Sequence, residues 1–440
     1  MTDLAQLARD GDLRGLRQHL ADRDVPGVVD ELERWDAVTR AVAFRALPKD
    51  RALEVFEDLD PALQTELLEG LREEAVTALV RDLDPDDRAG LLDELPATVA
   101  QRLLSGLSPD ERAMTTALLG HPADTAGRRM SPEVVALPED ALVGEALEHV
   151  RRHGRDAETL YVLPVIGPGR CVVGVVSLRR LLVTDDDVPV REVMSEPVLV
   201  HARDDQETAA RVVRDHGAVA VPVVDDENRL LGLLTVDDAM RILEEEESED
   251  LARTGASEPL SRPYLATSVL GLVRARVGWL FVLIVGATLT VNVLDAFEDT
   301  LAAVVALALF VPLLIGTGGN AGSQAATTVV RAMAVGDVRF ADLSRVVGKE
   351  IATGFLLGSC LALLGFVPAA LLVDVDIALV LCLALVAVCT LATTAGSLTP
   401  MVAKRLGVDP AVVSAPFITT FVDATGLVIY FLVAQAVLGL

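Results

Sequence analysis

The sequence is poor in the residues that build covalent cross-links and catalytic centres. Only 4 of its 440 residues are cysteine: Cys171 stands alone in the front half, and Cys360, Cys382 and Cys389 lie in apolar stretches. This usage predicts neither a disulfide framework nor a thiolate metal centre. The chain also has no P-loop with its lysine, no His-rich metal site and no nucleophile elbow, so we do not expect an enzyme.

Positive charge is scarce as well. The chain has 38 Lys and Arg residues against 65 Asp and Glu, and only 10 of those acids lie beyond residue 267. The first 267 residues therefore carry a formal charge of −25, and the rest carries −2. This charge argues against nucleic acid as a partner and is compatible with cations, although a merely soluble surface accounts for most individual acids.

The second half contains five uncharged stretches that are long enough to span a bilayer. They cover residues 277–294, 300–330, 351–373, 377–403 and 410–440, the last broken only by Asp423. Every Lys and Arg of this half precedes the first stretch or lies in the second-to-third or fourth-to-fifth connection. The positive-inside rule then predicts a multi-pass protein of the cell membrane, with its N-terminal half in the cytoplasm and Leu440 outside. The first residues, MTDLAQLARDGDLRG, lack the apolar core of a secretory signal, which agrees with this orientation.

Asp423 is a lone carboxylate inside the fifth stretch, and no basic residue lies near it in sequence. An ion at membrane depth costs about 2.5 to 3.5 kcal/mol on insertion scales, so such residues usually face a bundle interior or a water-filled path. The sequence therefore predicts a cation site at Asp423.

The second stretch contains VPLLIGTGGNAGSQAATTVVRAMA, in which four glycines lie close together among polar residues. Two interpretations stay open for the glycines: close helix packing, or a local break that exposes backbone carbonyls to a cavity. The amides of Asn320 and Gln324 need partners in lipid and offer oxygen ligands to a cation or to its water shell.

Residues 130–243 repeat one module twice: a Met-Ser start, a helix (Val143–His153 and Glu207–Asp215), a β-hairpin and a turn into a second helix. The pattern resembles a pair of cystathionine-β-synthase (CBS) domains, which in some families bind adenine nucleotides. The resemblance makes Thr235 and Asp238 candidate nucleotide-binding residues and ATP a candidate ligand, because an acid three residues after the turn Ser or Thr can hold ribose hydroxyls. The first copy has Arg180 in place of that acid.

The first 125 residues read as a right-handed stack of short helices like an α-solenoid. Proline recurs every 24 residues directly after a capping residue, in the pairs Asp60-Pro61, Asp84-Pro85 and Ser108-Pro109. A cap followed by proline at the first helical position is a strong helix start.

An acidic helical stretch joins the second module to the first span. Glu246, Glu249 and Asp250 fall on one face by their spacing, and like charges at such spacings cost about 0.2 to 0.5 kcal/mol per pair. A cation bound there would relieve this repulsion, and a solvated charge run is the alternative.

Taken in order, these parts resemble the MgtE family of magnesium channels, with GTGGNAGSQAATTVVRA and FITTFVDATGLVIYF as the most specific motifs. The resemblance implies a multidomain fold: an all-α helical N domain, α+β tandem CBS domains and an α-helical five-span membrane domain. The expected boundaries are 1–127 for the N domain, 128–190 and 191–243 for the CBS domains, 244–268 for the connecting helix, and 269–440 for the membrane domain.

The resemblance further implies a homodimer whose pore is lined by the second and fifth spans. Asp423 matches the family's fifth-span Asp and would bind Mg²⁺ in the pore, with Asn320 beside the path. Two Asp423 carboxylates, one from each subunit, suit a largely hydrated Mg²⁺ ion.

The family's gate is a sensor in which cytosolic Mg²⁺ bridges the N domain, the CBS domains and the connecting helix and holds the pore closed. The matching ligand positions are Glu54, Asp86, Asp238, Glu246, Glu249, Asp250 and Asp409. Three positions depart from the pattern: Ala415 replaces the usual Asn before Pro416, and Gly90 and Gly217 stand where acids are common.

Two other functions stay open. One is a broader divalent-cation transporter that also passes Mn²⁺, Co²⁺ or Ni²⁺, although the absence of His, Cys and Met near Asp423 favours hard, oxygen-seeking ions. The other is a membrane-anchored sensor of Mg²⁺ or nucleotide that does not conduct, which would need no carboxylate at membrane depth.

Overall fold

The computed structural model describes residues 13–21, 23–71, 73–155, 157–260, 262–410 and 415–440. The chain divides into two compact units, Met1–Glu246 with Ser261–Ser268, and Glu247–Leu260 with Val269–Leu440. Most of the N-terminal stretch used for the signal-sequence expectation, residues 1–12, lies outside the described residues, as do residues 411–414 of the fifth uncharged stretch.

The front of the first unit is all helical. Its helices are α1 (Leu13–Ala21), α2 (Val25–Arg34), α3 (Ala37–Phe44), α4 (Lys49–Glu57), α5 (Pro61–Glu69), α6 (Glu73–Asp82), α7 (Pro85–Glu94), α8 (Ala97–Gly106), α9 (Pro109–Leu119) and α10 (Ala126–Arg129). Short amphipathic helices stack here around one apolar core, which includes Leu16, Leu32, Phe56 and Leu67. These helices confirm the predicted helical N domain.

The proline repeat begins three of these helices, as the sequence predicts. The Asp60 carboxylate accepts from the backbone N–H of Ala62 at 2.9 Å at the start of α5. Ser108 forms a capping box with Glu111 at the start of α9. Asp84 occupies the same position before α7 but makes no side-chain capping hydrogen bond, so its expected capping contact is absent.

A second element of the repeat lies three residues after the first helical position. Here a long side chain reaches back to the carbonyl groups that end the preceding helix, which have no partner within that helix. The Arg88 guanidinium, for example, donates from Nε to the carbonyl of Val80 at 2.8 Å. Arg40, Gln64 and Arg112 occupy the equivalent positions and make the equivalent bonds.

Each predicted CBS module contains a small three-stranded sheet. The first has β1 (Leu137–Pro138), α11 (Val143–His153), β2 (Leu163–Ile166), β3 (Val172–Val176), α12 (Leu178–Leu182) and α13 (Val190–Val193). The second has β4 (Val200–His201), α14 (Gln206–His216), β5 (Ala220–Val224), β6 (Leu230–Thr235) and α15 (Val236–Thr254). In both sheets the first strand pairs parallel with the second, and the second pairs antiparallel with the third. The repeated hairpin is therefore confirmed.

The second unit is a bundle of long apolar helices. They are α16 (Val269–Ala296), the short α17 (Glu298–Ala303), α18 (Val311–Ala334), α19 (Leu343–Leu372), α20 (Val375–Arg405) and α21 (Ala415–Leu438). Among the described residues, five helical segments qualify as membrane spans by length and composition, with α18 and α19 extended at their starts by short 3₁₀ turns. Together with the helical N domain and the paired modules, they confirm the predicted fold class.

The glycines of the second span serve close helix packing. Helix α18 runs without interruption through Gly316, Gly318, Gly319 and Gly322. A Cβ atom added at Gly318 would lie 2.6 Å from a Val388 methyl group of α20, and one at Gly319 would lie 2.7 Å from a Thr419 methyl group of α21. Of the two interpretations left open, packing is the one that the structure supports.

Candidate cation sites

The carboxylate of Asp423 lies half-buried in the middle of α21, between the buried residues Val422 and Ala424. Its Oδ1 atom is buried and has no hydrogen-bond partner among the described residues. A buried carboxylate oxygen without a donor is costly unless a cation or water completes its surroundings. The observation fits the predicted cation site.

Helix α18 packs directly against α21 near this residue. The Ser323 hydroxyl of α18 lies 3.1 Å from the Thr419 hydroxyl of α21 and donates to the Ala415 carbonyl at 3.3 Å. Asn320 is exposed on α18 and directly follows Gly319, whose neighbour on α21 is Thr419. Because Asp423 follows Thr419 by one helical turn, about 6 Å along the axis, the two predicted pore residues lie on helices in direct contact.

The first unit contains three carboxylates that converge on one point. Glu57 ends α4, Asp84 precedes α7 and Asp87 lies in the first turn of α7, with one carboxylate oxygen of each within 4.8 Å of the others. Burial, followed by the charges of Asp87 and Asp84, raises the pKa of Glu57 to about 8. Burial also raises the pKa of Asp87 to about 6, against the lowering effect of Arg241.

A second group of acids adjoins these three. Burial, then the charges of Asp238, Asp87 and Glu158, raises the pKa of Asp86 well above its ordinary value. The Asp86 Oδ1 atom is buried without a hydrogen-bond partner among the described residues. Burial, followed by the Asp238 charge, raises the pKa of Glu158 to about 7.

These two groups, Glu57, Asp84, Asp86, Asp87, Glu158 and Asp238, are called the acidic cluster below. Its side chains offer only oxygen atoms, and its raised pKa values reflect too little positive charge for the number of carboxylates. Hard divalent cations with oxygen ligands suit this donor set. The residues therefore fit Mg²⁺, and of the predicted sensor residues the cluster brings Asp86 and Asp238 together.

The candidate nucleotide residues contact each other. The Thr235 hydroxyl, at the end of β6, donates to the Asp238 carboxylate at 2.6 Å. Burial raises the pKa of Asp238, and this hydrogen bond opposes part of the rise. In the first module Ser177 instead caps α12 by accepting from the Arg180 backbone N–H at 3.2 Å. The two modules therefore differ at the equivalent turn.

The predicted sensor residues of α15 have different neighbours. The Glu246 carboxylate accepts from the Gln206 amide of α14 at 2.6 Å. Within the second unit, Arg253 pairs with Glu249 and donates to the Asp409 carboxylate at 2.5 Å. Asp250 is a further charge that raises the Arg253 pKa. Glu54 is exposed on α4, one turn before Glu57.

Sequence reasoning missed part of the acidic cluster. It named Asp86 and Asp238 but not Glu57, Asp87 or Glu158, and it assigned Asp84 to helix capping alone. The run Asp84-Pro85-Asp86-Asp87 carries three acids around one proline, which is more than a helix start needs. That excess is the signal that could have indicated the site.

Comparison with known proteins identifies the family. Residues 311–433 match the MgtE family, which is described as a divalent cation transporter. Residues 24–124 match the MgtE intracellular N domain, and residues 126–185 and 190–245 match the CBS domain. The Magnesium transporter MgtE of Thermus thermophilus is 39% identical over 99% of this chain and 98% of its own length. The Magnesium transporter MgtE of Enterococcus faecalis is 35% identical over 72% of this chain and 70% of its own length.

Among solved structures, the cytosolic domain of the Mg²⁺ channel MgtE in complex with ATP is 36% identical, with a TM-score of 0.51. The match covers 55% of this chain and 98% of that one. The similarity thus extends over the helical N domain, the paired modules and the membrane helices. This chain belongs to the MgtE family.

Proposed function

We propose that this chain forms a Mg²⁺-selective channel in the cell membrane that admits magnesium and is closed by cytosolic Mg²⁺. The observation that carries the transport proposal is the buried, unpartnered Oδ1 atom of Asp423 in the fifth span. The whole-length similarity to a relative named as a magnesium transporter supports the identity of the ion.

Magnesium is the cargo, and Asp423 is its proposed ligand. In a homodimer with the pore on the two-fold axis, two Asp423 carboxylates would offer two negative charges to one divalent ion. Mg²⁺ gives up its water reluctantly, so these oxygens would bind the ion largely through its hydration shell. The amide of Asn320, on the packed helix α18, would offer a polar contact beside the path.

The proposed orientation follows from the basic residues of the membrane half. They precede the first span or lie in the second-to-third and fourth-to-fifth connections. By the positive-inside rule this supports an N domain and paired modules in the cytoplasm and a C-terminus outside. The acidic cluster and the connecting helix then face the compartment in which Mg²⁺ is sensed.

The proposed sensor contains two groups of carboxylates, one in each compact unit. Asp86 and Asp238 belong to the acidic cluster, with Glu54 and Glu246 on nearby helices of the same unit. Glu249, Asp250 and Asp409 surround Arg253 in the second unit. Helix α15 contributes to both groups, so ion binding at either one acts on the same helix. Mg²⁺ closes the channel if it binds the closed arrangement better than the open one, which is a shift of populations.

Adenine nucleotide is a proposed second ligand of the paired modules. A related cytosolic domain has been solved in complex with ATP, and here Thr235 and Asp238 lie within hydrogen-bonding distance of each other. Asp238 also belongs to the acidic cluster, so nucleotide and Mg²⁺ would share this carboxylate.

The two other functions differ from the channel in what they transport. A broader transporter of Mn²⁺, Co²⁺ or Ni²⁺ predicts similar fluxes for these ions and Mg²⁺, whereas an all-oxygen site without His, Cys or Met favours Mg²⁺. A non-conducting sensor predicts Mg²⁺ binding by the cytosolic part and no flux.

The test is Mg²⁺ flux into liposomes that contain the purified full chain, with Mg²⁺ varied on the cytosolic face. We expect flux at low cytosolic Mg²⁺, closure at high Mg²⁺, and smaller fluxes of Mn²⁺, Co²⁺ and Ni²⁺. A variant with Glu246→Gln, Glu249→Gln and Asp250→Asn should conduct Mg²⁺ at low cytosolic Mg²⁺. It should close poorly when cytosolic Mg²⁺ is high. Unchanged closure in this variant would remove these residues from the sensor, and an absence of flux with intact Mg²⁺ binding would favour the non-conducting sensor.

A further inference from the structure

Arg241 joins the helical N domain to the second CBS module. It lies on α15, directly after the last strand of that module, and its Nη1 atom donates to the Asp87 carboxylate at 3.1 Å. Its Nη2 atom lies 3.9 Å from the Asp58 carboxylate. Both acids belong to the N-terminal helical part, so a single guanidinium contacts one acid after α4 and another in α7.

Negative charge surrounds this guanidinium. The charges of Asp87, Asp238 and Asp58 raise the Arg241 pKa against the opposing effect of burial. Asp87 is itself a member of the acidic cluster, and its carboxylate lies within 4.8 Å of those of Glu57 and Asp84. Arg241 is therefore a fixed positive charge at the edge of a site that fits a divalent cation.

Two other arginines near the cluster, Arg88 and Arg129, act on its carboxylates by charge but direct their hydrogen bonds to other groups. The Arg88 guanidinium donates to backbone carbonyls at the end of α6 and in the following turn, including that of Val80. Arg129 pairs with Glu245 and donates to the Gln206 side chain at 3.0 Å. Of the salt bridges between described residues, the pair of Arg241 with Asp87 connects the cluster to a basic group.

We propose that Arg241 is a built-in cation that keeps the N domain attached to the second CBS module when Mg²⁺ is absent. It neutralises one carboxylate of the cluster and leaves the others for metal. Docking of the N domain then has a metal-independent part, due to Arg241, and a metal-dependent part, due to Mg²⁺. The inference rests on the proposed sensor for its role in gating, but the contact itself can be tested without transport.

The experiment measures N-domain docking in the purified full chain. Spin labels carried by noncanonical residues at exposed Gln101 and Asp187 report the distance between α8 and the first CBS module. The distance distribution is recorded in EDTA and in saturating Mg²⁺ for the wild type and for Arg241→Gln. Arg191→Gln is the matched control, because it removes an exposed arginine whose 2.7 Å pair with Asp140 lies within the first module.

In EDTA, we expect Arg241→Gln to lower the ratio of molecules with a docked N domain to molecules with a separated N domain about three- to fivefold. This range is typical of a partly exposed ion pair. Saturating Mg²⁺ should restore docking, because the metal can replace the missing charge. Arg241→Lys, which keeps the charge, should dock in EDTA more like the wild type than Arg241→Gln does, and Arg191→Gln should leave the ratio unchanged.

Equal docking of wild type and Arg241→Gln in EDTA would overturn the inference, as would an equal loss in Arg191→Gln. The flux measurement separates this result from the proposed function. If Mg²⁺ does not close the channel but Arg241→Gln still loosens docking, the sensor proposal fails and the contact stands. If closure is intact and docking is unaffected, the Arg241 inference fails alone.

Discussion

The close contact between the second and fourth spans gives a sharp prediction at Gly396. A Cβ atom added at this position of α20 would lie 2.2 Å from the Gly322 carbonyl oxygen and 3.2 Å from the Gly322 Cα atom of α18. The three nearest atoms all belong to the Gly322 backbone, so no side-chain rotation can relieve this clash. In Gly396→Ala the two helices must separate by roughly 1 Å to reach ordinary contact distances, and overpacking of this kind costs about 1 to 3 kcal/mol.

This separation reaches the proposed pore, because α18 also packs on α21. A Cβ atom at Gly322 would lie 2.9 Å from an Ile418 methyl group of α21, five residues before Asp423. We therefore expect Gly396→Ala to unfold at a lower temperature in detergent and to pass less Mg²⁺ in liposomes at low cytosolic Mg²⁺. The assays are thermal unfolding of the purified full chain and liposome flux.

Gly348→Ala is the matched control, because a Cβ atom there meets nothing within 4 Å. Alanine is favoured over glycine in a helix by roughly 0.5 to 1 kcal/mol, so this variant should be as stable as the wild type or slightly more stable. If Gly396→Ala matches Gly348→Ala in both stability and flux, the packing argument is refuted.

The first unit supplies two further predictions. Replacing the buried Arg88 by Met should destabilise the N domain by about 3 to 5 kcal/mol, because several helix-end carbonyls lose a charged donor. Arg112→Met changes an exposed arginine at the equivalent position and should destabilise the domain less. Hydrogen exchange of the full chain measures both losses of stability. The second prediction concerns Glu57, whose pKa is raised from 4.5 to about 8. Between these two pH values the folded state keeps a proton on Glu57 that the unfolded state releases. The free energy of unfolding in EDTA should therefore fall as pH rises from about 4.5 to about 8. Hydrogen exchange across this range should show a weaker pH dependence for Glu57→Gln, and an identical dependence would contradict the burial of this carboxylate.

Local sequence rules predicted much of the fold. The prolines of the 24-residue repeat fix the starts of α5, α7 and α9, because proline suits the first helical turn whatever the tertiary context. Capping side chains add to this at α5 and α9. The length and uniform apolar character of the five spans likewise do not depend on their neighbours. The hairpins of the paired modules follow from two β-rich runs separated by a turn. The domain boundaries beyond these elements stay a prediction.

The rest depends on contacts between distant segments. Asp84 occupies a helix-capping position in the sequence but makes no capping hydrogen bond. Its carboxylate lies near those of Glu57 and Asp87 instead, because the stack of helices brings the end of α4 beside the start of α7. Arg241 and Asp87 are separated by more than 150 residues, and no local pattern connects them. The glycines of α18 were ambiguous for the same reason, since only the neighbouring helices distinguish packing from a break.

The most direct test of the central claim is Mg²⁺ flux through Asp423→Asn, which keeps the size of the side chain and removes its charge. The control is Asp376→Asn, an exposed carboxylate in the first turn of α20. Both proteins are reconstituted at equal density and assayed at low cytosolic Mg²⁺, with Mn²⁺ and Co²⁺ for comparison. The account predicts that Asp423→Asn loses Mg²⁺ flux or its preference for Mg²⁺, while Asp376→Asn behaves as the wild type. Wild-type flux and selectivity in Asp423→Asn would contradict the assignment of this carboxylate to the pore.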